Sequence, residues 1–388
     1  MHVGIATGFA NHQPLEDSQF LREEMTQLLL ADELGFESIW ITEHHFSDYS
    51  IAPNPLQYLT WLAAKTKTCR LGTQVVVVPW HDPVRLAEQI SVLDNLSGGR
   101  AVIGFGRGLA RMEYEGLRVD QSKARELFDE IVPMVMNAME TGFIEGGEHF
   151  KQPRREIRPR PIRSLRGRAF CAAGTPASMV SAARLGLGRL YLGQPMLSSG
   201  APRTFTPQNA AEANAGQQAN DPVSAEDAWD AAWKESHPDQ PPTAPFASNL
   251  VFIDESKDRA EDLARTYAAK TFRAAVKNYE LMSSHHGSIK GYESYKNLVM
   301  TQEDVDRAAQ NAVETSLCGD PKTVLEKLDE VRKERQPQGM IPHLYTGGMP
   351  HDECMRSIRL FAKTCLQEAK SWPSAPSTID PPFAHAAE

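Results

Sequence analysis

Short apolar runs alternate with stretches of helical periodicity along most of the chain. The first apolar runs are His2–Thr7, Ser38–Thr42, Arg70–Val78 and Ala101–Phe105. Runs of this kind are typical of parallel strands that are buried on both faces. Between them, apolar residues recur every three or four positions, which predicts helices at about Leu21–Ala31, Pro55–Ala64, Val84–Leu96 and Arg125–Glu140. The alternation indicates successive strand–helix–strand units and a parallel sheet.

The alternation resumes beyond an arginine-rich segment, Arg154–Arg168, which we interpret as a solvated loop. Further strands are predicted at Ala169–Ala173, Arg189–Leu192, Asn249–Ile253 and Met340–Tyr345. Further helices are predicted at Pro176–Leu185, Lys257–Leu281, Gln302–Val313, Pro321–Arg335 and Asp352–Glu368. Eight strands interleaved with helices predict an α/β fold, a (β/α)8 TIM-like barrel that forms a single domain over residues 1–370. Sites in such barrels lie at the carboxyl ends of the strands, so residues that follow a strand are the first candidates.

Two segments break the pattern. Gly193–Pro245 contains eight of the 26 prolines, roughly twice an even share, and much of it shows no periodicity. It predicts an enlarged mobile loop after the sixth strand, followed by a short helix at about Ala225–Lys234. The residues from Ser371 to Glu388 are rich in proline and small residues, and we expect them to form a disordered tail.

Composition and charge narrow the possible partners and location. The chain has 388 residues and a net charge of −9 without a basic block, which argues against nucleic acid or an anionic membrane as partner. No apolar run reaches the roughly 18 residues that a membrane span needs. The first residues show no basic region followed by an apolar stretch, so we expect no secretory signal. The five cysteines are widely spaced with no CxxC pair. Neither a zinc site nor a disulfide framework is indicated, so we expect a cytoplasmic protein.

Two adjacent histidines and an acidic residue follow the second predicted strand. Glu43, His44 and His45 allow three readings: metal ligands, one histidine that transfers protons, or loop residues hydrogen-bonded to the backbone. Adjacent side chains of an extended segment point in opposite directions, which disfavours the metal site. The other two readings stay open.

A glycine-rich stretch, Gly104–Leu109, follows the fourth predicted strand. It is not a dinucleotide-binding fingerprint, because Leu109 stands where GxGxxG needs its third glycine. Its glycines would let a flat ring or a phosphate approach the backbone, and Arg107 could bind a phosphate through its forked guanidinium. A tight turn with a solvated arginine is the alternative.

The segment Gly174–Ser178 opens a helix after the fifth predicted strand, and Pro176 suits the first helical turn. The free N–H groups of that turn and the hydroxyls of Thr175 and Ser178 could bind an anion. Alternatively, Thr175 simply caps the helix. Because Arg107 follows the preceding strand, the two features together favour a phosphate site.

Three segments resemble one known family by their order and spacing. They are Gly35–Phe46 (GFESIWITEHHF), Leu71–Glu88 and Asp94–Arg107 (DNLSGGRAVIGFGR), with weaker matches at Gly174–Ser178 and Cys318–Pro321. Over roughly residues 1–370 the chain resembles the bacterial luciferase-like, flavin-dependent monooxygenases. The family fold is a TIM-like barrel, in agreement with the strand count.

The resemblance implies a flavin at the carboxyl ends of the strands, which is reduced FMN in most of the family and the deazaflavin F420 in one branch. By position, Arg107 would hold the FMN phosphate together with the turn that contains Gly174, Thr175, Ala177 and Ser178.

Three further positions match functional positions of the family. The Gln74–Val75 bond matches a non-prolyl cis peptide behind the flavin ring, and both residues would therefore contact the cofactor. Gly106 matches the position under the ring where luciferase carries a reactive cysteine, and glycine would leave more room there. His44 matches the family's catalytic histidine, which manages the protons of the flavin peroxide.

The resemblance implies oxygenation. Reduced FMN and O2 would form a C4a-(hydro)peroxyflavin that oxygenates a small or medium organic substrate. Since the chain has no NAD(P)H fingerprint, a separate flavin reductase is expected to supply the reduced FMN. Gly193–Pro245 and Ser283–Gly291 are the lid candidates, and a homodimer is common in the family. The alternatives are an F420-dependent oxidoreductase on the same barrel and a non-catalytic flavin-binding protein of this fold.

Overall fold

The computed structural model describes residues 1–13, 15–193, 225–297, 299–310 and 316–379. Its strands are β1 His2–Val3, β2 Ile5–Thr7, β3 Ser38–Ile41, β4 Arg70–Val77, β5 Ala101–Gly106, β6 Phe143–Gly146, β7 Gln152–Glu156, β8 Ala169–Cys171, β9 Gly188–Gly193, β10 Phe246–Ile253, β11 Leu317–Gly319 and β12 Gly339–His343. Its α-helices are α1 Asp17–Glu33, α2 Pro55–Ala63, α3 Pro83–Ser97, α4 Arg111–Gly116, α5 Ala124–Thr141, α6 Pro176–Arg184, α7 Ala225–Ser236, α8 Lys257–Leu263, α9 Ala269–Asn278, α10 Gln302–Gln310, α11 Pro321–Arg335, α12 His351–Phe361 and α13 Gln367–Ser371.

The large sheet is parallel, and its strand order is β1-β12-β10-β9-β8-β5-β4-β3-β2. Because β1 and β2 are consecutive pieces of one strand, separated only at Gly4, the two ends of this order meet. His2 pairs with Gly339 on one side, and Ile5 pairs with Ile39 on the other. The strands therefore occupy eight positions around a nearly closed ring, which confirms the predicted (β/α)8 TIM-like barrel.

Two small pairings lie outside this ring and were not predicted. β11 pairs with β10 in parallel, and β6 and β7 form an antiparallel hairpin. Both are too short to give a clear apolar alternation in the sequence.

Large apolar side chains fill the interior of the barrel. Consecutive strands contribute one packed layer: Ala6, Trp40, Val102, Phe170, Leu190, Phe246 and Ile341. Trp40 is fully buried, and its indole N–H donates to Oγ of Ser38 over 2.7 Å. A Cβ at Gly72 would overlap the Trp40 ring. The barrel is therefore a packed core rather than a pore, and a ligand site must lie at one of its ends.

Several outer helices begin with the same sequence device. A polar residue caps the helix and a proline occupies the first helical position at Asn54–Pro55, Asp82–Pro83, Thr175–Pro176 and Asp320–Pro321. Each cap accepts a backbone N–H of the first turn, as when Asp320 Oδ1 accepts from Thr323 over 2.8 Å. These caps fix where the helices start, and so they fix the loops that lead into them from the strands.

The arginine-rich segment is only partly a solvated loop. Its first arginines are exposed around the β6–β7 hairpin, but the prediction is wrong for Arg168, which is 1% exposed. Its guanidinium binds Asp94 in bidentate fashion, at 2.7 and 3.1 Å, and donates to the carbonyl of Ala101. A buried arginine needs such a partner, and this one lies 74 residues earlier in the sequence.

The predicted disordered tail is also wrong for its described part. Ile379 is fully buried and packs against the interior layer of the barrel. Thr378 holds this segment, since its hydroxyl donates to the Gly167 carbonyl over 2.6 Å and its N–H donates to Gln338 over 2.8 Å. Residues 380–388 lie outside the described residues.

The enlarged loop after the sixth strand falls mostly outside the described residues, which omit 194–224. The short helix predicted within it is confirmed as α7. Trp229 and Trp233 of α7 are buried and stack at 4.8 Å. Across the described parts of the chain, none of the helices is both long enough and apolar enough to cross a bilayer.

Candidate active site at the carboxyl ends of the strands

His44, which follows β3, is bound at both ring nitrogens. Its Nδ1 lies 2.9 Å from Oε1 of Glu113 in α4, and its Nε2 lies 3.1 Å from the hydroxyl of Tyr279. Glu113 is fully buried, and the same Oε1 also accepts the backbone N–H of His45 over 2.8 Å. The histidine is therefore held in one orientation by a buried carboxylate and a phenol.

Glu43 forms a second acid–histidine group beside the first. Its carboxylate is 1% exposed and accepts from His81 Nε2 at 2.8 Å, from the Val77 N–H at 2.6 Å and from His45 Nε2 at 3.3 Å. Burial by itself would raise the pKa of Glu43, but the charge of His81 and these hydrogen bonds outweigh it and hold that pKa below its ordinary value. Burial lowers the pKa of His81, but Glu43 outweighs it and raises that pKa overall. Both shifts favour an ion pair.

The adjacent residues Glu43, His44 and His45 therefore divide between two groups. His44 faces Glu113, whereas His45 faces Glu43. Within the described ranges, no set of three such side chains is arranged to hold a metal ion.

Two tyrosines extend the His44 group. The Tyr49 ring meets the His44 ring edge-on at 4.9 Å, and the Tyr279 ring meets it at 5.7 Å. The Tyr49 and Tyr279 rings also meet edge-on at 5.5 Å, and their side chains are hydrogen-bond partners of each other. Burial raises the pKa of Tyr49 to about 12 and holds that of Tyr279 well above its ordinary value, so both phenols carry their protons near neutral pH.

A cationic cluster lies on the neighbouring strand ends. Arg107 follows β5, and Arg125 lies in the first turn of α5. A Cβ on Gly291 would lie 3.1 Å from Nη1 of Arg107 and 3.8 Å from Cβ of Arg125, which shows how close the two arginines are. Burial, and next the charge of Arg107, lower the pKa of Arg125. Two neighbouring guanidinium groups of this kind favour an anion between or beside them.

The amino terminus of α6 adjoins this cluster. Nη2 of Arg125 donates to Oγ of Ser178 over 2.5 Å, and Thr175 Oγ1 lies 3.0 Å from the same oxygen. Thr175 also accepts the Ser178 N–H over 3.3 Å, so it does cap the helix. Gly174 precedes this cap, and Ala177 lies in the first turn. The capping and the anion-site interpretations are therefore compatible.

A third segment covers the cluster. Arg107 donates to the carbonyl of Gly291 over 2.7 Å, and its guanidinium stacks on the Tyr292 ring at 4.1 Å. The Tyr292 hydroxyl donates to the Gly108 carbonyl over 2.8 Å. The predicted lid segment Ser283–Gly291 thus reaches the cluster, although its mobility stays a prediction.

The end of β4 has an unusual backbone. The Gln74–Val75 peptide is cis, as the family resemblance implied. Both polar atoms of the Gln74 amide are buried without a hydrogen-bond partner among the residues that the structure describes. The expectation of extra room at Gly106 is wrong, because a Cβ there would overlap Cγ2 of Val75. Val75 fills the space that glycine leaves.

Sequence reasoning missed four residues of this site: Glu113, Tyr279, Tyr49 and Arg125. Tyr279 lies 235 residues from His44, and Glu113 lies 69 residues from it. Arg125 carries a weak signal, since it lies at the start of a predicted helix. For the others, no local pattern in one sequence indicates the partner.

Residues 1–336 match the family profile of luciferase-like monooxygenases. The chain belongs to this family. It is therefore a member of a family of monooxygenases.

Individual relatives agree with the assignment. The oxygenase component of a flavin-dependent trigonelline monooxygenase from Acinetobacter baylyi is 34% identical over 176 residues, which is 44% of this chain and 49% of that protein. The chain thus matches about half the length of this relative.

Two solved structures share the fold over nearly the whole chain. The monooxygenase RslO1 from Streptomyces bottropensis is 26% identical with a TM-score of 0.66, over 95% of this chain and 99% of that one. The oxygenating constituent of 3,6-diketocamphane monooxygenase from Pseudomonas putida, solved with FMN, is 15% identical with a TM-score of 0.67, over 97% and 99%.

Proposed function

We propose that the chain is the oxygenase component of a two-component monooxygenase. It binds reduced FMN at the carboxyl ends of the barrel strands and uses O2 to oxygenate a small or medium organic molecule. The observation that carries the proposal is the cluster of Arg107 and Arg125 with the hydroxyls at the amino terminus of α6. Guanidinium forks, hydroxyls and a helix amino terminus together suit a single phosphate.

The residues present fit FMN at a second point as well. The buried Gln74 amide offers an NH2 donor group and a carbonyl acceptor that no described residue uses. A flavin ring carries both kinds of group on its polar edge, so it can satisfy an amide that otherwise has a desolvation cost. We assign Gln74, Val75 and Gly106 to the ring, and Arg107, Arg125 and the Gly174–Ser178 turn to the phosphate.

The chain's own residues then manage protons and water. Reduced FMN, when bound, supplies the electrons with which O2 reacts. His44 holds or transfers a proton at Nε2, while the Glu113 carboxylate at Nδ1 stabilises positive charge on the ring. The aromatic side chains of Trp80, Tyr114 and Tyr292 pack together at the mouth and exclude water from the reacting centre.

A separate flavin reductase is part of the proposal. The relative named an oxygenase component supports it, because such a component works with a partner that reduces the flavin. We also propose that the protein is cytoplasmic and forms a homodimer. The elution volume and scattering mass of the purified protein would test the homodimer.

Cofactor-dependent oxygen uptake tests the function. The protein is mixed with a flavin reductase, NADH and FMN, and then with trigonelline and a panel of aldehydes, ketones, aromatic compounds and sulfur compounds. We expect uptake of O2 and an oxygenated product from at least one compound. Hydride transfer from reduced F420 without O2 would establish the F420-dependent alternative. Binding of FMN with no product from any compound would support the non-catalytic alternative.

A further inference from the structure

We propose that His44 exchanges protons through Tyr279 and Tyr49 rather than directly with a bound molecule. We use the name tyrosine relay for a hydrogen-bonded series of four residues: Glu113, His44, Tyr279 and Tyr49. Tyr279 is a positioning residue for His44, and Tyr49 is the outer member of the relay. The inference rests on the proposed function for its catalytic meaning, but the hydrogen bonds can be tested without it.

The contacts leave His44 no free nitrogen. Nδ1 is 2.9 Å from the Glu113 carboxylate, and Nε2 is 3.1 Å from the Tyr279 hydroxyl. The side chain of His44 is only 11% exposed. Because both ring nitrogens are already engaged, a proton that enters or leaves Nε2 passes through the Tyr279 hydroxyl.

The hydrogen-bond roles follow from the chemistry of each group. A carboxylate only accepts, so Nδ1 of His44 carries the proton that faces Glu113. Nε2 of the neutral ring is then an acceptor, and the Tyr279 hydroxyl must donate to it. The only O–H of Tyr279 is used in this hydrogen bond, so its oxygen accepts a hydrogen bond from the Tyr49 hydroxyl. One assignment of donors and acceptors therefore satisfies all four residues of the relay.

Proton movement through the relay balances. When Tyr49 takes a proton from a bound molecule, it passes its own proton to Tyr279, and Tyr279 passes its own to Nε2. The ring becomes an imidazolium beside the buried Glu113 carboxylate, whose Oε2 has no partner among the described residues. The reverse sequence returns one proton to the bound molecule and restores every group.

The backbone at Tyr279 is held independently of its hydroxyl. His286 Nε2 lies 2.7 Å from the Tyr279 carbonyl oxygen, and Asn278 Oδ1 accepts from the Ser47 hydroxyl over 2.8 Å. Removal of the hydroxyl alone therefore leaves these anchors in place. The substitution Tyr279→Phe therefore removes the hydrogen bond to His44 and keeps the backbone of residue 279 in place.

Nitrogen NMR of the flavin-free protein tests the hydrogen bonds. The protein is labelled with 15N-histidine, and His44 is assigned with His44→Asn. We expect wild-type His44 to be protonated at Nδ1, with a hydrogen-bonded acceptor signal at Nε2. Tyr279→Phe should move that signal to the position of a free acceptor nitrogen. Tyr267→Phe, which changes a tyrosine outside the site, should not, and Tyr49→Phe should move it less. An Nε2 signal that is the same in wild type and Tyr279→Phe overturns the proposal.

Turnover tests the use of the relay. Both Tyr279→Phe and Tyr49→Phe should lower the product formed per reduced FMN by about 100-fold, the low end of what a positioned proton-transfer group contributes. The pair His44→Ala and Tyr279→Phe should be no worse together than His44→Ala alone. If the Nε2 signal changes but product formation does not, the proton role is wrong. If wild type itself makes no product, the proposed function fails, and the NMR result alone decides whether the hydrogen-bonded relay exists.

Discussion

Two buried carboxylates stand side by side at the barrel mouth and are used differently. Glu43 is surrounded by donors, from His81, Val77 and His45, at both oxygens. Glu113 accepts two N–H donors at a single oxygen, and its other oxygen has no partner among the described residues. A saturated carboxylate holds structure together, whereas an unsaturated one retains the capacity to stabilise new positive charge on His44.

The largest expected effect is the loss of stability on removal of Glu43. Glu43→Ala leaves His81 and the buried Val77 N–H without their acceptor, so it should lower the free energy of unfolding by about 3–5 kcal/mol. Urea unfolding followed by circular dichroism measures it. Glu115→Ala, at a side chain that is 68% exposed, is the control and should stay within about 0.5 kcal/mol of wild type. A loss as small as the control's would show that Glu43 is not the structural member of the pair.

For Glu113 we expect the opposite result, a small loss of stability and a large loss of product formation. Glu113→Gln keeps an oxygen for both N–H donors but removes the charge that stabilises the His44 imidazolium. We expect little change in unfolding, while product per reduced FMN falls about 100-fold, as it should in His44→Ala, and H2O2 release rises. Product and peroxide assays check this. Normal turnover of His44→Ala would remove His44 from proton transfer.

The cationic cluster should have an effect on affinity alone. Arg107→Ala should weaken binding of reduced FMN by about 1–3 kcal/mol, the range for a lost hydrogen bond between charged groups. Anaerobic titration calorimetry measures the affinity. Arg265→Ala, at a side chain that is 56% exposed, is the control and should bind as wild type does. Unchanged affinity in Arg107→Ala would reject the phosphate assignment.

The smallest expected effect is a pH dependence of stability from the Glu43 group. Glu43 has a lowered pKa, so its contribution is present above its ordinary value of 4.5 and is lost as pH falls through its folded value. His81 has a raised pKa, so its contribution is present below its ordinary value of 6.5 and is lost as pH rises through its folded value. The difference in melting temperature between wild type and His81→Ala should therefore be largest in mildly acid solution. A difference that does not vary with pH would contradict the ion pair.

The barrel could be predicted from the sequence because its strands are continuous apolar runs and its helices have local start signals, such as Asp82–Pro83. The cap at Thr175 was predictable for the same reason. The cis bond at Gln74–Val75 came from the family resemblance and not from any property of those two residues. Local signals of this kind report where an element begins, but not what its side chains meet.

Most of the missed features depend on contacts between distant parts of the chain. Arg168 is buried because Asp94 is there to pair with it, and His44 is fixed because Glu113 and Tyr279 reach it. Ile379 is one apolar residue in a polar, proline-rich segment, so its insertion into the barrel has no periodic signal. Such partners become visible only when the fold brings them together.

The central claim is that the cluster at the start of α6 holds the phosphate of reduced FMN. Its most direct test is an anaerobic comparison of reduced FMN with reduced riboflavin, which has the same ring but lacks the phosphate. Reduced FMN should bind to the wild-type protein about 1–3 kcal/mol more tightly than reduced riboflavin does. Most of that preference should vanish in Arg107→Ala. Equal affinity of the wild-type protein for the two flavins would contradict the claim.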